Sequence, residues 1–399
     1  MHTRFHSSIA NISAESWNAL VPDDNPFLDH AFLAGLERHG CIDPRSGWQP
    51  HHLSLYNESG RLVAVAPLYV KRNSHGEFVF DWSWASAYAQ HGLDYYPKLL
   101  CAVPYSPVTG PRLLVGSLVD ADALRAALIS AISAEAERLR VSSAHLNFAS
   151  AADATSFAGS DWIPRFDWQF HWRNLPGGLG GWRDFDDFLA SLTHKKRKNI
   201  RHERRRVKIA GVMCEIRHGD ELGDADWRAL HDFYLATFDD KGNYPSLTLD
   251  FFRHLGAAMP RRVVAVLCRR ANQLVAGALM LRSATTLYGR YWGCREHIEG
   301  LHFEACYYQG IEYCLREGLT TFEPGAQGEH KIARGFLPAK THSFHWIADP
   351  RFRAAIAQAM QHEAQMLVGY RDEVLAHSPY AHAPLTPSPP SPPLEGDGL

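Results

Sequence analysis

Near the middle of the 399-residue chain, positions 176–181 read Pro-Gly-Gly-Leu-Gly-Gly, five of the six being Pro or Gly. Neither a helix nor a strand runs easily through such a stretch. It splits the chain into halves of ordinary domain size, and we place a boundary there, between 1–176 and 182–377. In the first half, strands are expected at 52–56 and 61–71 around the turn Asn57-Glu58-Ser59-Gly60. A helix is expected at 121–139, where Leu124, Leu128, Ile132 and Leu139 recur at helical spacing, and a strand at 144–148. The second half reads as a helix from 182 to 192 that runs on to about 209, then strand 212–217 and helix 225–238. A hairpin (263–269 with 274–282), a long strand at 286–293 and a helix at 303–317 complete it. Leu62-Val63-Ala64-Val65-Ala66 and Leu274-Val275-Ala276-Gly277-Ala278 hold the same place in the two hairpins. That is the mark of an internal repeat, or of two hairpins of one common kind. Either way the fold class is α/β with mixed sheets.

The stretch 321–347, TFEPGAQGEHKIARGFLPAKTHSFHWI, concentrates ionisable chemistry. A short strand breaks at Pro324-Gly325, the chain crosses Gly328, turns helical near His330, and passes Gly335 and Pro338 into a strand at 341–347. Between the strands lie Glu323, Gln327, Glu329, His330, Lys331 and Arg334. A polar connector and a reaction site both fit such a loop. His342 and His345, three apart on a strand, face opposite sides and do not form a metal pair.

This pattern, with the upstream SWASAYAQHGLDYYPKLL and the downstream THSFHWIADPRF, resembles the FemAB-like N-acyltransferases, often labelled peptidoglycan biosynthesis or recognition proteins. The resemblance runs from about Pro26 to about Ala376. It implies two tandem GNAT-like (acyl-CoA N-acyltransferase-like) domains with the site in the cleft between them, where an acyl or aminoacyl group passes from a donor to a small-molecule amine acceptor. Among Fem-type enzymes a Lys sits in the matching glycine-bounded loop, which points to Lys331.

Transfer to an amine needs a proton acceptor, a donor held close and cations aimed at the developing oxyanion. Lys331 or Arg334 could supply the charge; Glu323, at a strand end, or Glu304, opening a helix, could take the proton. Each carboxylate could equally be a cap or an ion-pair partner. GNAT proteins that use acetyl-CoA carry a glycine-rich loop after the central strand, holding the pyrophosphate on backbone N–H groups. Here that junction, 294–303, has one glycine, Gly300, which argues against acyl-CoA and leaves aminoacyl-tRNA as the other candidate co-substrate.

Net charge is −2, so the chain as a whole does not advertise nucleic-acid binding. The segment 194–208, HKKRKNIRHERRRVK, is different: nine Lys or Arg and one Glu. On this reading positive charge goes right round the helix, so its repulsion must be offset by nearby carboxylates or by an anion such as a tRNA end, a nucleotide diphosphate or coenzyme A phosphates. Lys195, Lys196, Arg197, Lys198 and Arg201 are the candidate contacts, a solvated surface being the other reading. The block from Phe78 to Lys98 is rich in aromatic residues. It is either core packing or a pocket in which Trp82, Tyr88 and His91, with Tyr105 and Thr109, hold an apolar or sugar group.

Hydrophobic content of 46% supports well-filled cores. No apolar run approaches the roughly 20 residues of a membrane span, and the N-terminus lacks the apolar core of a secretory signal. Seven scattered Cys without a CxxC pair suggest neither a zinc site nor a disulfide framework. We therefore expect a cytoplasmic protein without a metal, ending in a disordered Pro-rich tail at 378–399.

Overall fold

The computed structural model describes residues 1–117, 119–174, 181–239, 244–326 and 328–381. Its first half carries β1 (His2–His6), β2 (Trp48–Pro50), β3 (His52–Tyr56), β4 (Leu62–Ala66), β5 (Leu68–Lys71), β6 (Lys98–Cys101), β7 (Ser143–Ala149) and β8 (Ile163–Arg173). The second carries β9 (Val212–His218), β10 (Val263–Arg270), β11 (Gln273–Arg282), β12 (Thr286–Cys294), β13 (Thr321–Glu323) and β14 (Leu337–Ile347). A small sheet has the order β1-β3-β4. A second, eleven-stranded sheet runs β2-β5-β6-β7-β14-β8-β13-β12-β11-β10-β9. Among the described residues the paired strands are antiparallel except at β6/β7 and β12/β13. Each half thus holds one parallel pair flanked by antiparallel neighbours, the duplicated α/β arrangement with mixed sheets expected from the tandem GNAT-like reading.

The halves are sewn together. β14 lies between β7 and β8 of the first half, and β8 also pairs with β13, Thr321 opposite Arg173. One apolar cluster joins Phe27, Phe32 and Trp48 to Phe251, Leu279 and Tyr288. Separate clusters bury Leu128 and Ile132 of the helix Ala121–Leu139 against Leu53 and Leu99, and Ile311 and Cys314 of the helix Gln309–Glu317 against Val266 and Phe322.

Several sequence expectations change. The strand expected over 61–71 is two strands in two sheets, because Pro67 offers no N–H to a continuing ladder. The long helix expected from 182 to about 209 breaks at Leu192-Thr193 into Phe185–Ser191 and His194–Ile209. At the break the Thr193 N–H donates to Pro379 O at 2.8 Å. The chain beyond 378 is packed as far as it is described: Tyr380 is buried, stacks on Trp182 and donates its hydroxyl to Gly335 O at 2.6 Å. The rest of the expected tail, 382–399, lies outside the described residues, as do Gln327 and all of the 176–181 breaker except Gly181. β8 and the 27-residue helix Pro350–Ala376 were not anticipated; Asp349 caps that helix and Pro350 opens it. No helix among the described residues is long and apolar enough to cross a membrane.

Candidate functional site

β12 and β13 run together only from Thr286↔Thr321 to Tyr288↔Glu323, and then part. Two local features mark the place where pairing ends. Gly289 lies so close to Pro324 that a Cβ there would meet the Pro324 Cα at 3.2 Å. At the next residue the pairing of β12 with β11 steps from Gly289↔Met280 to Tyr291↔Leu279, leaving Arg290 as the extra residue of a β-bulge. Across the opening, Pro324-Gly325 turns the chain away, and the 3₁₀ segment Glu329–Arg334 follows between Gly328 and Gly335, both at positive φ.

Alternation sets which side chains meet. Glu323, the last paired residue of β13, is buried and turned towards the first half. There the Thr109 N–H donates to its carboxylate at 3.3 Å and the Thr109 hydroxyl adds a second hydrogen bond. His171 of β8 stands 3.9 Å away through Nδ1, its other ring nitrogen 3.2 Å from Gln169 Oε1. Burial holds the imidazole below its ordinary pKa, against the pull of Glu323. Thr109, His171, Tyr288 and Glu323 line a cavity of about 370 Å³ between the halves, with Arg173 and Lys340 also on its wall.

Lys331 is 2% exposed, so it is not the surface side chain a loop position suggests. Its ammonium donates to Gly325 O at 2.5 Å, spanning the loop. Burial first, and the neighbouring Arg290 guanidinium second, lower its pKa to about 7. Arg290 itself has Nε and Nη2 sealed from solvent without a hydrogen-bond partner among the described residues. The Phe27 ring covers its face, 5.3 Å from the guanidinium carbon. The sequence reading passed over Arg290, since a bulge inside a regular-looking strand leaves no signature beyond the glycine on its N-terminal side.

The other candidates are placed elsewhere. Arg334 is a strut: it donates to Glu203 at 2.6 Å, to the Tyr308 hydroxyl at 3.1 Å and to His330 O at 2.7 Å, with its guanidinium over the Phe303 ring. Both oxygens of Glu304 are taken, by Arg204 at 3.0 Å and by Gln309 at 2.8 Å. Arg204 also pairs with Glu312, so carboxylates offset part of the basic helix's charge. Ile200 and Val207 pack inward, and charge does not encircle the helix. Its outer side keeps Lys195, Lys198 and Arg205 exposed, and among the described residues these have no ion pair; Lys196 and Arg197 are half-buried, and Arg201 lies 3.8 Å from Asp186.

The aromatic residues do not converge. Tyr88 is buried 4.0 Å from the Phe352 ring, packing the C-terminal helix onto the first half, and His91 abuts the same ring. Trp82 is exposed beside His75, and Tyr105 donates its hydroxyl to Cys41 O at 3.1 Å. Beneath them Asp81 accepts from the buried Lys98 and from the Tyr95 hydroxyl. Burial alone would raise its carboxyl; the Lys98 charge, the His145 ring and the hydrogen bonds from Lys98 and Ser74 together outweigh it and hold the group at about 2.

The model of the FemAB-like family, described as peptidoglycan biosynthesis/recognition, matches residues 8–382. The chain belongs to this family. Its fold is similar to the crystal structure of FemX, at 12% identity and a TM-score of 0.52, over 90% of this chain and 100% of that one. Weaker likenesses include L-PGS from Bacillus licheniformis (10% identity, TM-score 0.47, 82% and 96% covered) and a tandem GNAT protein from the clavulanic acid biosynthesis pathway (12%, 0.44, 88% and 99%). No curated protein matches the sequence. The likeness of this FemAB-like chain to FemX is one of fold and extends over nearly its whole length.

Proposed function

We propose that this FemAB-like protein is a cytoplasmic N-acyltransferase whose reaction centre is the opening between β12 and β13. It is a transferase acting on amines. The observation that carries the proposal is Glu323: a buried carboxylate at the last paired position of the parallel strands, facing the inter-half cavity and oriented by Thr109. An acceptor amine in the cavity gives its proton to Glu323, and its lone pair attacks the acyl carbonyl carbon. Protonated Lys331 stabilises the oxyanion and delivers a proton to the departing oxygen or sulfur as the bond to the acyl carbon breaks.

Two features favour aminoacyl-tRNA over acyl-CoA as donor. The exposed stripe Lys195, Lys198 and Arg205 suits a nucleic-acid backbone. The turn in which GNAT proteins seat a pyrophosphate has one glycine here, Gly300, and it packs against the basic helix, where a Cβ would meet Glu203 O at 3.0 Å. The test is mass spectrometry of purified protein incubated with amine pools and either charged tRNA or acyl-CoA. Acylated amine that forms with wild type and not with Glu323→Gln supports the proposal. Absence of product from every pool favours a non-catalytic protein that recognises a phosphorylated or cell-wall precursor or RNA.

A further inference from the structure

Arg290 is the residue the strand opening leaves unexplained. A guanidinium keeps its charge inside proteins and carries five N–H donors; buried donors are almost always satisfied. Here Nε and Nη2, which together form the side-on edge that grips two oxygens at once, are sealed from solvent with nothing to donate to. The face of the group is covered by Phe27. The carboxylate nearest in charge, Glu323, is within electrostatic influence of Arg290 but spends its hydrogen bonds on Thr109 and forms no ion pair with it among the described residues. The bulge makes this arrangement specific, since the step in register leaves this one residue of β12 without a partner opposite it in β11.

We infer that the Nε–Nη2 edge of Arg290, once the groups that seal it from solvent move aside, is a receptor for an oxyanion, a carboxylate or a phosphate, carried by one of the two substrates and separate from the amine that Glu323 receives. The inference rests on the reading of the strand opening as the reaction centre and deepens it: one substrate is an anion at the reacting end. A carboxylate would belong to an amino-acid-like substrate, a phosphate to a nucleotide-linked or phosphorylated one. Bound there, the oxyanion supplies the two acceptors that Nε and Nη2 lack, and a countercharge in direct contact that Glu323 does not give.

The test needs no turnover. The full chain is melted in rising acetate, inorganic phosphate or pyrophosphate at constant ionic strength, as wild type, Arg290→Gln and Arg290→Lys. The same series is run in a Lys195→Ala/Lys198→Ala background, which removes anion binding by the outer helix. In that background, a saturable rise in Tm with one anion class is expected, with apparent affinity at least about tenfold weaker in both Arg290 variants. Acetate as the effective anion identifies a carboxylate; phosphate or pyrophosphate identifies a phosphate. Without anion, Arg290→Gln should melt no lower than wild type, because it removes a charge whose Nε and Nη2 are sealed and unsatisfied. The inference is overturned if no anion gives a saturable response, if both variants respond like wild type, or if Arg290→Gln collapses while Arg290→Lys behaves as wild type. Failure of the transfer reading would show differently, as full acyl transfer by Glu323→Gln with the Arg290-dependent anion response intact.

Discussion

Thr109 donates both its N–H and its hydroxyl to the carboxylate of Glu323, 214 positions further along the chain. Backbone and side chain of one residue in the first half thereby fix the carboxylate proposed as proton acceptor in the second. Thr109→Val removes one donor from a buried carboxylate and should cost about 1–3 kcal/mol of stability. Thr109→Val/Glu323→Gln should recover part of that loss, since the carboxylate is then gone. Urea titrations of the four proteins measure the coupling; purely additive losses would mean the two residues do not support each other.

Lys331 gives a pH signature with a definite sign. Its folded pKa, lowered to about 7, lies below the ordinary lysine value of about 10.4. Between those values the unfolded chain binds the proton and the folded chain does not, so stability rises with pH across that window and the full penalty applies below about 7. Lys331→Met should therefore gain stability over wild type by more at pH 7 than at pH 9.5. Equal differences at both pH values would show a lysine of ordinary pKa.

The rate should follow the same group in the other direction. Transfer that needs protonated Lys331 declines as pH rises through about 7, and Lys331→Arg, which does not titrate, should flatten that limb. Lys331→Met should lower kcat by roughly 10²–10³, the range for removing an oxyanion donor. An unchanged pH–rate profile in Lys331→Arg would take the lysine out of the proton chemistry.

The basic helix separates into two roles. Arg204→Ala leaves Glu304 and Glu312 without their cation and should destabilise by about 3–5 kcal/mol, with little change in RNA affinity per folded molecule. Lys195→Ala/Lys198→Ala/Arg205→Ala should keep the melting point and flatten the salt dependence of RNA binding by about 0.7–0.9 log units of slope for each phosphate no longer neutralised. Binding with an unaltered salt slope would leave the stripe as solvated surface.

Gly293 is a packing probe three residues beyond Arg290 on β12. A Cβ there would fall 2.2 Å from Phe233 O, a backbone atom of the helix Asp224–Asp239, so neither element can yield by a rotamer change. Gly293→Ala should lower stability by about 1–3 kcal/mol, read as a lower Tm. A wild-type Tm would mean that the helix moves away from β12 without penalty.

The elements that were legible in the sequence are those with local signatures. The helix Ala121–Leu139 shows its leucine spacing, the hairpin of β10 and β11 its turn, and the loop at Glu323–Arg334 its glycines. β8 was missed although Phe166, Trp168, Phe170 and Trp172 alternate with polar residues, because both its edges are paired by segments distant in sequence. Register across such distances is a tertiary fact. The same reason hid the Thr109–Glu323 bond and the buried state of Lys331. Arg204 could not be told apart from the other cations of the basic segment, because its partners, Glu304 and Glu312, arrive from another helix a hundred residues away.

The path of β14 has a consequence for inheritance. A duplicated protein can ordinarily lose one copy and fall back on the other. Here the last strand of the second copy is laced between β7 and β8 of the first. Ending the chain before Leu337 would leave those two strands with bare facing edges, the kind that recruit other chains. Neither copy can be discarded or exchanged alone, and substitutions in the two halves must be selected together.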